Sequence, residues 1–194
     1  MKIVLNLLFI FLALNSTTMA QKGFEVQKEI TIDVSAENLW EMVGPGFVDV
    51  YKWASNVDHA EGKGNSKFEG AVCDERFCDV NVAGFSKISE KLTNYDGDKL
   101  TLSYAVNTGM PGFITKAVNK WTVVPVDSQR SKLVMHADFQ VKGLMGSLMK
   151  GTMEKKMNQT LQTILNDAKV YSETGKVSIV KAKRIDKLEK KRAS

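Results

Sequence analysis

Arg76 and Glu90 fall within the stretch CDERFCDVNVAGFSKISEKL, and Tyr104 follows in KLTLSYAVN. If these three side chains meet, they offer acid–base chemistry. A guanidinium beside a carboxylate favours the ionised carboxylate. Glu90 could then take a proton from a ligand while Arg76 holds it and Tyr104 relays or orients. The same residues also suit a buried structural ion pair, or a grip on the polar end of a ligand, and residue type alone leaves these roles open. Whether they meet at all depends on strand register.

Centring the turn on Ala83 puts Glu75 opposite Lys91 and Asp79 opposite Lys87. Such cross-strand ion pairs are each favourable by about 0.2–1 kcal/mol. The loop becomes Val82-Ala83-Gly84, with a glycine where a positive φ is needed. Arg76 then faces Glu90 on the other side of the hairpin, and Cys78 faces Ile88, with Leu92 nearby. That side is the more apolar and should look inward, and a slip of one residue would reverse every face. The same reasoning around VDSQRS sets Trp121 opposite Met135, with Asn119 on the inner face. The expected pocket is mostly apolar. Arg76, Glu90, Tyr104 and Asn119 converge in it, and Cys78, Trp53, Trp121 and Met135 line it as a small-molecule site.

The elements that must position these residues are legible as periodicities. FEVQKEITIDV alternates as a strand. SAENLWEMVG reads as a short helix capped by Ser35 and closed by Gly44, and GFVDVYKWAS as a second short helix or a turn or two. About six further strands follow, with YDGD and VDSQRS as turns. From about Leu144 to Tyr171, Met145, Met149, Met153, Met157 and Leu161 recur every fourth residue along a long amphipathic helix. Short links imply an antiparallel meander. A bent sheet of about seven strands can bury its apolar face against that helix, which gives an α+β fold with a cavity between the two layers.

Composition narrows the functional classes. The first twenty residues read as a secretory signal peptide: Lys2, an apolar run IVLNLLFIFLAL broken by Asn6, and small or polar residues up to Ala20. The run is short for a bilayer span, which takes about 20 apolar residues. Residues 21–175 then form one domain, exported to the periplasm or secreted after cleavage near Ala20. The net charge is +5, yet residues 176–194 hold eight Lys/Arg and two Asp/Glu. The domain itself is close to neutral. The basic segment is expected to be a flexible tail, solvated, frayed or partly helical, open to transient contact with a membrane or protein but not to specific nucleic-acid binding.

Cys73 and Cys78 are five apart, which on one continuous strand separates them by about 17 Å and rules out a bond between them. With two histidines and no CxxC, no metal site and no cofactor are expected. His59 and His136 have no nucleophile pattern around them, which argues against a catalytic triad.

With these strings in view, the chain resembles the SRPBCC superfamily, the helix-grip fold of START and Bet v 1-like domains. Within it the chain is most similar to the polyketide cyclase/dehydrase and lipid-transport branch, the polyketide cyclase 2 family. The resemblance covers about Phe24 to Gly175 and rests on VSAENLWEMVGPGFVDVYKWASNV, ERFC…GFSKISEKL, NKWTVVPVD and the Met-rich helix. It implies a curved antiparallel sheet wrapped on the terminal helix. The branch includes exported members linked to bacterial methanol oxidation and lachrymatory factor synthase-like enzymes, whose cavity uses an arginine, a glutamate and a tyrosine. Arg76 and Glu90 match the first two by strand and facing, and Tyr104 matches the third with different neighbours.

Fold does not carry reaction with it, so three functions stand open. The first is an exported protein that holds a small apolar molecule or lipid. The second is a cyclase- or isomerase-type enzyme with Glu90 as general base. The third is an accessory protein that docks on a periplasmic partner. Oligomeric state is not readable from the residues.

Overall fold

Alternating burial along β1 (Lys22–Ile32), with Phe24, Val26 and Ile32 turned inward, opens the computed structural model, which describes residues 22–82 and 84–193. The expected signal peptide, residues 1–20, lies outside the described residues. Ser35 caps α1 (Ala36–Val43) by accepting from Asn38 N. A turn of 3₁₀ helix at Pro45–Phe47 and the short α2 (Val50–Trp53) follow. The strands β2 (Val57–Lys63), β3 (Glu75–Val82), β4 (Phe85–Asp96), β5 (Thr101–Thr108), β6 (Ile114–Pro125) and β7 (Ser131–Val141) then run as a meander. The sheet order is β1-β7-β6-β5-β4-β3-β2, antiparallel throughout. Because β1 and β2 sit at opposite edges, α1 and α2 carry the chain between them; α1 packs on β6 and β7, α2 on β2, and both touch the long helix that follows the sheet. This is the α+β architecture the sequence predicts.

The hairpin register follows the charge pattern. Glu75 pairs with Lys91, Arg76 with Glu90, Cys78 with Ile88 and Asp79 with Lys87. Of the two outer-face charge pairs, Asp79 and Lys87 close to an ion pair at 3.6 Å. The turn differs from the expected three-residue loop. Val82 pairs with Phe85 after an irregularity beyond Asp79, so the strands regain register by a bulge. Ala83, the expected centre of the turn, lies outside the described residues. Just past the end of β5, against the start of β4, Gly109 has φ +84, and a Cβ there would lie 1.9 Å from the Lys87 carbonyl oxygen. No side chain fits that approach.

The long helix α3 (Gly143–Thr174) ends where Gly175 adopts a left-handed conformation and donates to the Tyr171 carbonyl. It packs mainly on β1. Its apolar stripe is buried only in the second half, at Leu161, Ile164, Leu165 and Ala168. Leu144, Met145 and Leu148 in the first turns are exposed, so the every-fourth-residue pattern overstates how far the helix is covered. Cys73 precedes β3 rather than lying on it, and both cysteines are buried and unbonded.

The basic segment is more ordered than the flexible tail expected from its composition. Residues Ile179–Arg192 form α4, capped by Ser178 through a bond from Lys181 N. The Lys181 ammonium is buried and donates to the Val57 carbonyl at 2.7 Å. Burial pulls its pKa down, against the opposing pull of Asp58 and Asp167. Arg184 grips the Asp58 carboxylate with Nε and an Nη. Asp167 on α3, 1% exposed, accepts from Ser55 N at 2.7 Å and from the Ser178 hydroxyl, and so ties α3, the α2–β2 turn and the start of α4 together. Among the described residues no helix is long and apolar enough to cross a membrane.

Asp167→Ala orphans the buried Ser55 amide and frees the α4 cap. It is expected to lower unfolding stability by about 3 kcal/mol, read as the shift in the urea midpoint at unchanged slope. A shift below about 0.5 kcal/mol, the level of an ordinary surface substitution, would show that the carboxylate is not a tether.

Candidate functional site

Arg76 reaches the space between sheet and α3 because β3 sets its even-numbered side chains inward, and Glu90 meets it from β4 in register. Their side chains are 2% and 8% exposed, and Arg76 Nε donates to Glu90 Oε2 at 2.6 Å. The Cys78 thiol, on the same face of β3, reaches the same oxygen at 3.5 Å. Glu90 Oε2 is thus engaged twice, whereas Oε1 has no hydrogen bond among the described residues.

Arg76 is held on its other sides as well. An Nη donates to the Phe47 carbonyl, the guanidinium carbon lies 3.8 Å from the Phe47 ring centre, and it lies 5.1 Å from that of Tyr104. A cation over aromatic faces gains most where water is excluded. Burial pulls the guanidinium pKa down, but Glu90, Cys78 and Tyr104 more than offset this and hold it above the ordinary value. Burial, then Glu90, raises the Tyr104 phenol, which keeps its proton at neutral pH. Burial also pushes the Cys78 thiol up to about 12, against the opposing charge of Arg76. A thiol so protonated is a poor nucleophile.

The void beside these groups has a volume of about 90 Å³. Arg76, Glu90, Tyr104, Asn119, Trp121 and Met135 all line it. Tyr104 pairs with Asn119, and Trp121 with Met135, across adjacent strands. The Trp121 ring meets Tyr104 edge-on at 6.0 Å, and its buried Nε1 makes no hydrogen bond among the described residues. Two residues expected in the lining are placed elsewhere. Cys78 sits behind Glu90, outside the wall of the void. Trp53, 1% exposed, packs against Trp121 at 6.2 Å as a second layer. The indole stands behind Trp121 and does not line the void.

Other wall residues carried weaker signals. Phe85 and Met157 close the side towards the β3–β4 turn, and Asn56 and Thr160 add polar groups. Met157 belongs to the methionine series, which does not say which member meets the cavity. Asn56 lies in the turn before β2, where no periodicity assigns a face, and its Oδ1 is buried without a partner among the described residues. Phe47 serves through its ring and its main-chain carbonyl, and no residue type advertises the second. Among the described residues no group of His, Cys, Asp or Glu is placed to hold a metal ion.

Losing one partner of a buried ion pair costs about 3–5 kcal/mol, because the other charge is left uncompensated, whereas apolar replacement of both is nearly neutral. Arg76→Met is therefore expected to destabilise strongly, and Arg76→Met/Glu90→Leu to recover most of the loss, as measured by guanidinium unfolding. Equal stability of the single variant and the wild type would contradict the buried pairing.

The thiol makes a second, pH-dependent contribution. The Cys78 pKa is raised in the folded state from 9.0 to about 12, so its stabilisation is full below pH 9 and is lost as pH rises towards 12. Compared with Cys78→Ala, the wild type should lose stability faster over that window. Parallel pH profiles would remove the thiol from this account.

Against this geometry, the comparisons with known proteins are consistent in fold. A START superfamily protein from Mycobacterium smegmatis superposes with TM-score 0.64 at 17% identity, covering 78% of this chain and 99% of that one. The Zhui aromatase/cyclase from Streptomyces sp. R1128 gives TM-score 0.61 at 13% identity, with 81% and 100% covered. Norcoclaurine synthase from Thalictrum flavum, in complex with dopamine and hydroxybenzaldehyde, gives 0.60 at 15% identity, with 90% and 98% covered. No curated protein matches the chain by sequence. Residues 23–173 match the family model described as polyketide cyclase / dehydrase and lipid transport, and the chain belongs to that family.

Proposed function

We propose that this protein binds a small, largely apolar molecule that carries one polar group, in the void between the sheet and α3. The observation that supports this most is the asymmetry of the wall. Arg76, Glu90, Tyr104 and Asn119 converge on a space otherwise closed by groups such as Met135, Phe139 and Met157. Apolar pockets with a few convergent polar groups are the usual form of ligand sites. Size narrows the ligand. A cavity of about 150 Å³ takes up benzene, so 90 Å³ suits at most a ring-sized group until the wall yields. Met157 and Phe85 provide that yield, methionine being the most adaptable of apolar side chains. A whole acyl chain does not fit a space of that size.

A second reading is supported by the unengaged Glu90 Oε1 beside the protonated Tyr104. There Glu90 removes a proton from the bound molecule and Tyr104 donates one, as in a cyclase or isomerase. The relatives named as cyclase and synthase share the fold at identities too low to carry their reactions over. Export to the periplasm or beyond is part of the proposal and rests on the composition of the first twenty residues.

The deciding experiment is to purify the protein natively, denature it and identify released small molecules by mass spectrometry, and then to titrate the compound found into Met157→Trp and Glu90→Gln. Binding lost in Met157→Trp, with folding intact by circular dichroism, is the expected result. Undiminished binding in that variant overturns the site. In Glu90→Gln, binding held within about tenfold (1.4 kcal/mol) with conversion of the compound abolished selects the enzymatic reading, and no conversion by the wild type selects carriage.

A further inference from the structure

Beside the inner void, and sharing Asn56, Val82 and Thr160 with it, runs an open groove of about 520 Å³ between α3 and α4. Its charge is one-sided. Lys156 from α3 and Lys183, Arg184 and Lys187 from α4 line it, and no Asp or Glu does. Arg184 is neutralised by Asp58. Lys156, Lys183 and Lys187 have no ion-pair partner among the described residues. The α4 helix is held over the groove by the Lys181–Val57 and Arg184–Asp58 bonds, so the cations are presented on a fixed wall. The rest of the lining is mixed, with Ser55, Asn81, Gln159 and Thr163 offering hydrogen bonds and Val82 and Val180 apolar surface. This helix begins beyond residue 173, where the match to the family model ends.

We propose that the groove is an anion subsite, and that the ligand is an amphipathic acid. Its carboxylate, sulfate or phosphate end lies among Lys156, Lys183 and Lys187, and its apolar end enters the inner void past Asn56, Val82 and Thr160. The inference rests on the ligand-binding reading only for the apolar end. Three unpaired ammonium groups in one concave wall raise the local concentration of anions and fall in effect as salt rises. The polar neck suits a chain that carries a hydrogen-bond donor, because Asn56 Oδ1 is buried there without a partner among the described residues. The arrangement also resolves the small size of the inner void: the ligand is divided between an enclosed ring-sized end and an open charged end.

The test uses a matched pair of probes, phenylbutyrate and its neutral amide, titrated calorimetrically into the full mature chain at low and high salt. The acid is expected to bind about tenfold more tightly than the amide at low salt, a difference of 1.4 kcal/mol. That advantage should vanish in Lys183→Glu/Lys187→Glu and shrink with added sodium chloride, while the amide is unaffected by either change. Binding of both probes should be lost in Met157→Trp. Equal binding of acid and amide by the wild type, or an advantage that survives the double charge reversal, overturns the anion subsite. If Met157→Trp leaves the amide bound while the charge-dependent advantage persists, the apolar reading of the inner void fails and the groove stands. Phenylphosphate and anionic lipid vesicles serve as further arms. Charge-dependent binding of the vesicles with none of the soluble acids makes α4 a membrane contact and overturns the proposal.

Discussion

A charged pair with side chains 2% and 8% exposed has to be justified by what surrounds it. Taking a guanidinium and a carboxylate out of water costs several kcal/mol per ion. The structure offsets this with a 2.6 Å bond to Glu90, a bond to the Phe47 carbonyl and two aromatic faces. Each of these partners belongs to a different segment. The register of β3 on β4 supplies Glu90, the 3₁₀ turn after α1 supplies Phe47, and β5 supplies Tyr104. A displacement of any of them leaves a buried ion poorly compensated. The pair therefore acts as a test of correct assembly, and the void beside it inherits a rigid polar end opposite a compliant apolar one.

That contrast bears on what the site can do. Arg76, Tyr104 and Glu90 are fixed by multiple bonds or ring contacts, whereas the rest of the wall contains Met157 and Phe85, neither of them fully buried. Polar recognition demands fixed donors and acceptors, because each buried group left unpaired costs about 1–3 kcal/mol. Apolar recognition tolerates adjustment. The soft wall can change with little consequence for the charged end.

The hairpin was readable because two independent constraints coincided. Glu75, Asp79, Lys87 and Lys91 demanded one pairing, and a glycine stood where the turn needed it. The bulge that returns Val82 to Phe85 leaves the inner face unchanged and has no residue signature. Trp53 was misplaced because aromatic character indicates burial but not depth; the second layer behind Trp121 is set by tertiary packing. The helix α4 is harder still to read. Its lysines and arginines look like a solvated run, and the groups that order it, Asp58, Asp167 and the Val57 carbonyl, lie elsewhere in the chain or on the backbone. Cavity volume is likewise a difference between packed layers, and no local pattern encodes it.

Asp167 has a consequence beyond its own hydrogen bonds. It joins the turn at Ser55 to the cap at Ser178, so the segment next to the inner void and the helix that bears the external cations share one carboxylate as an anchor, beside the Lys181–Val57 and Arg184–Asp58 bonds that also hold α4. Occupancy of either compartment that shifts this anchor changes the free energy of filling the other by the same amount, because such coupling is reciprocal. The junction between α3, the turn before β2 and α4 is where the two proposed compartments would be linked.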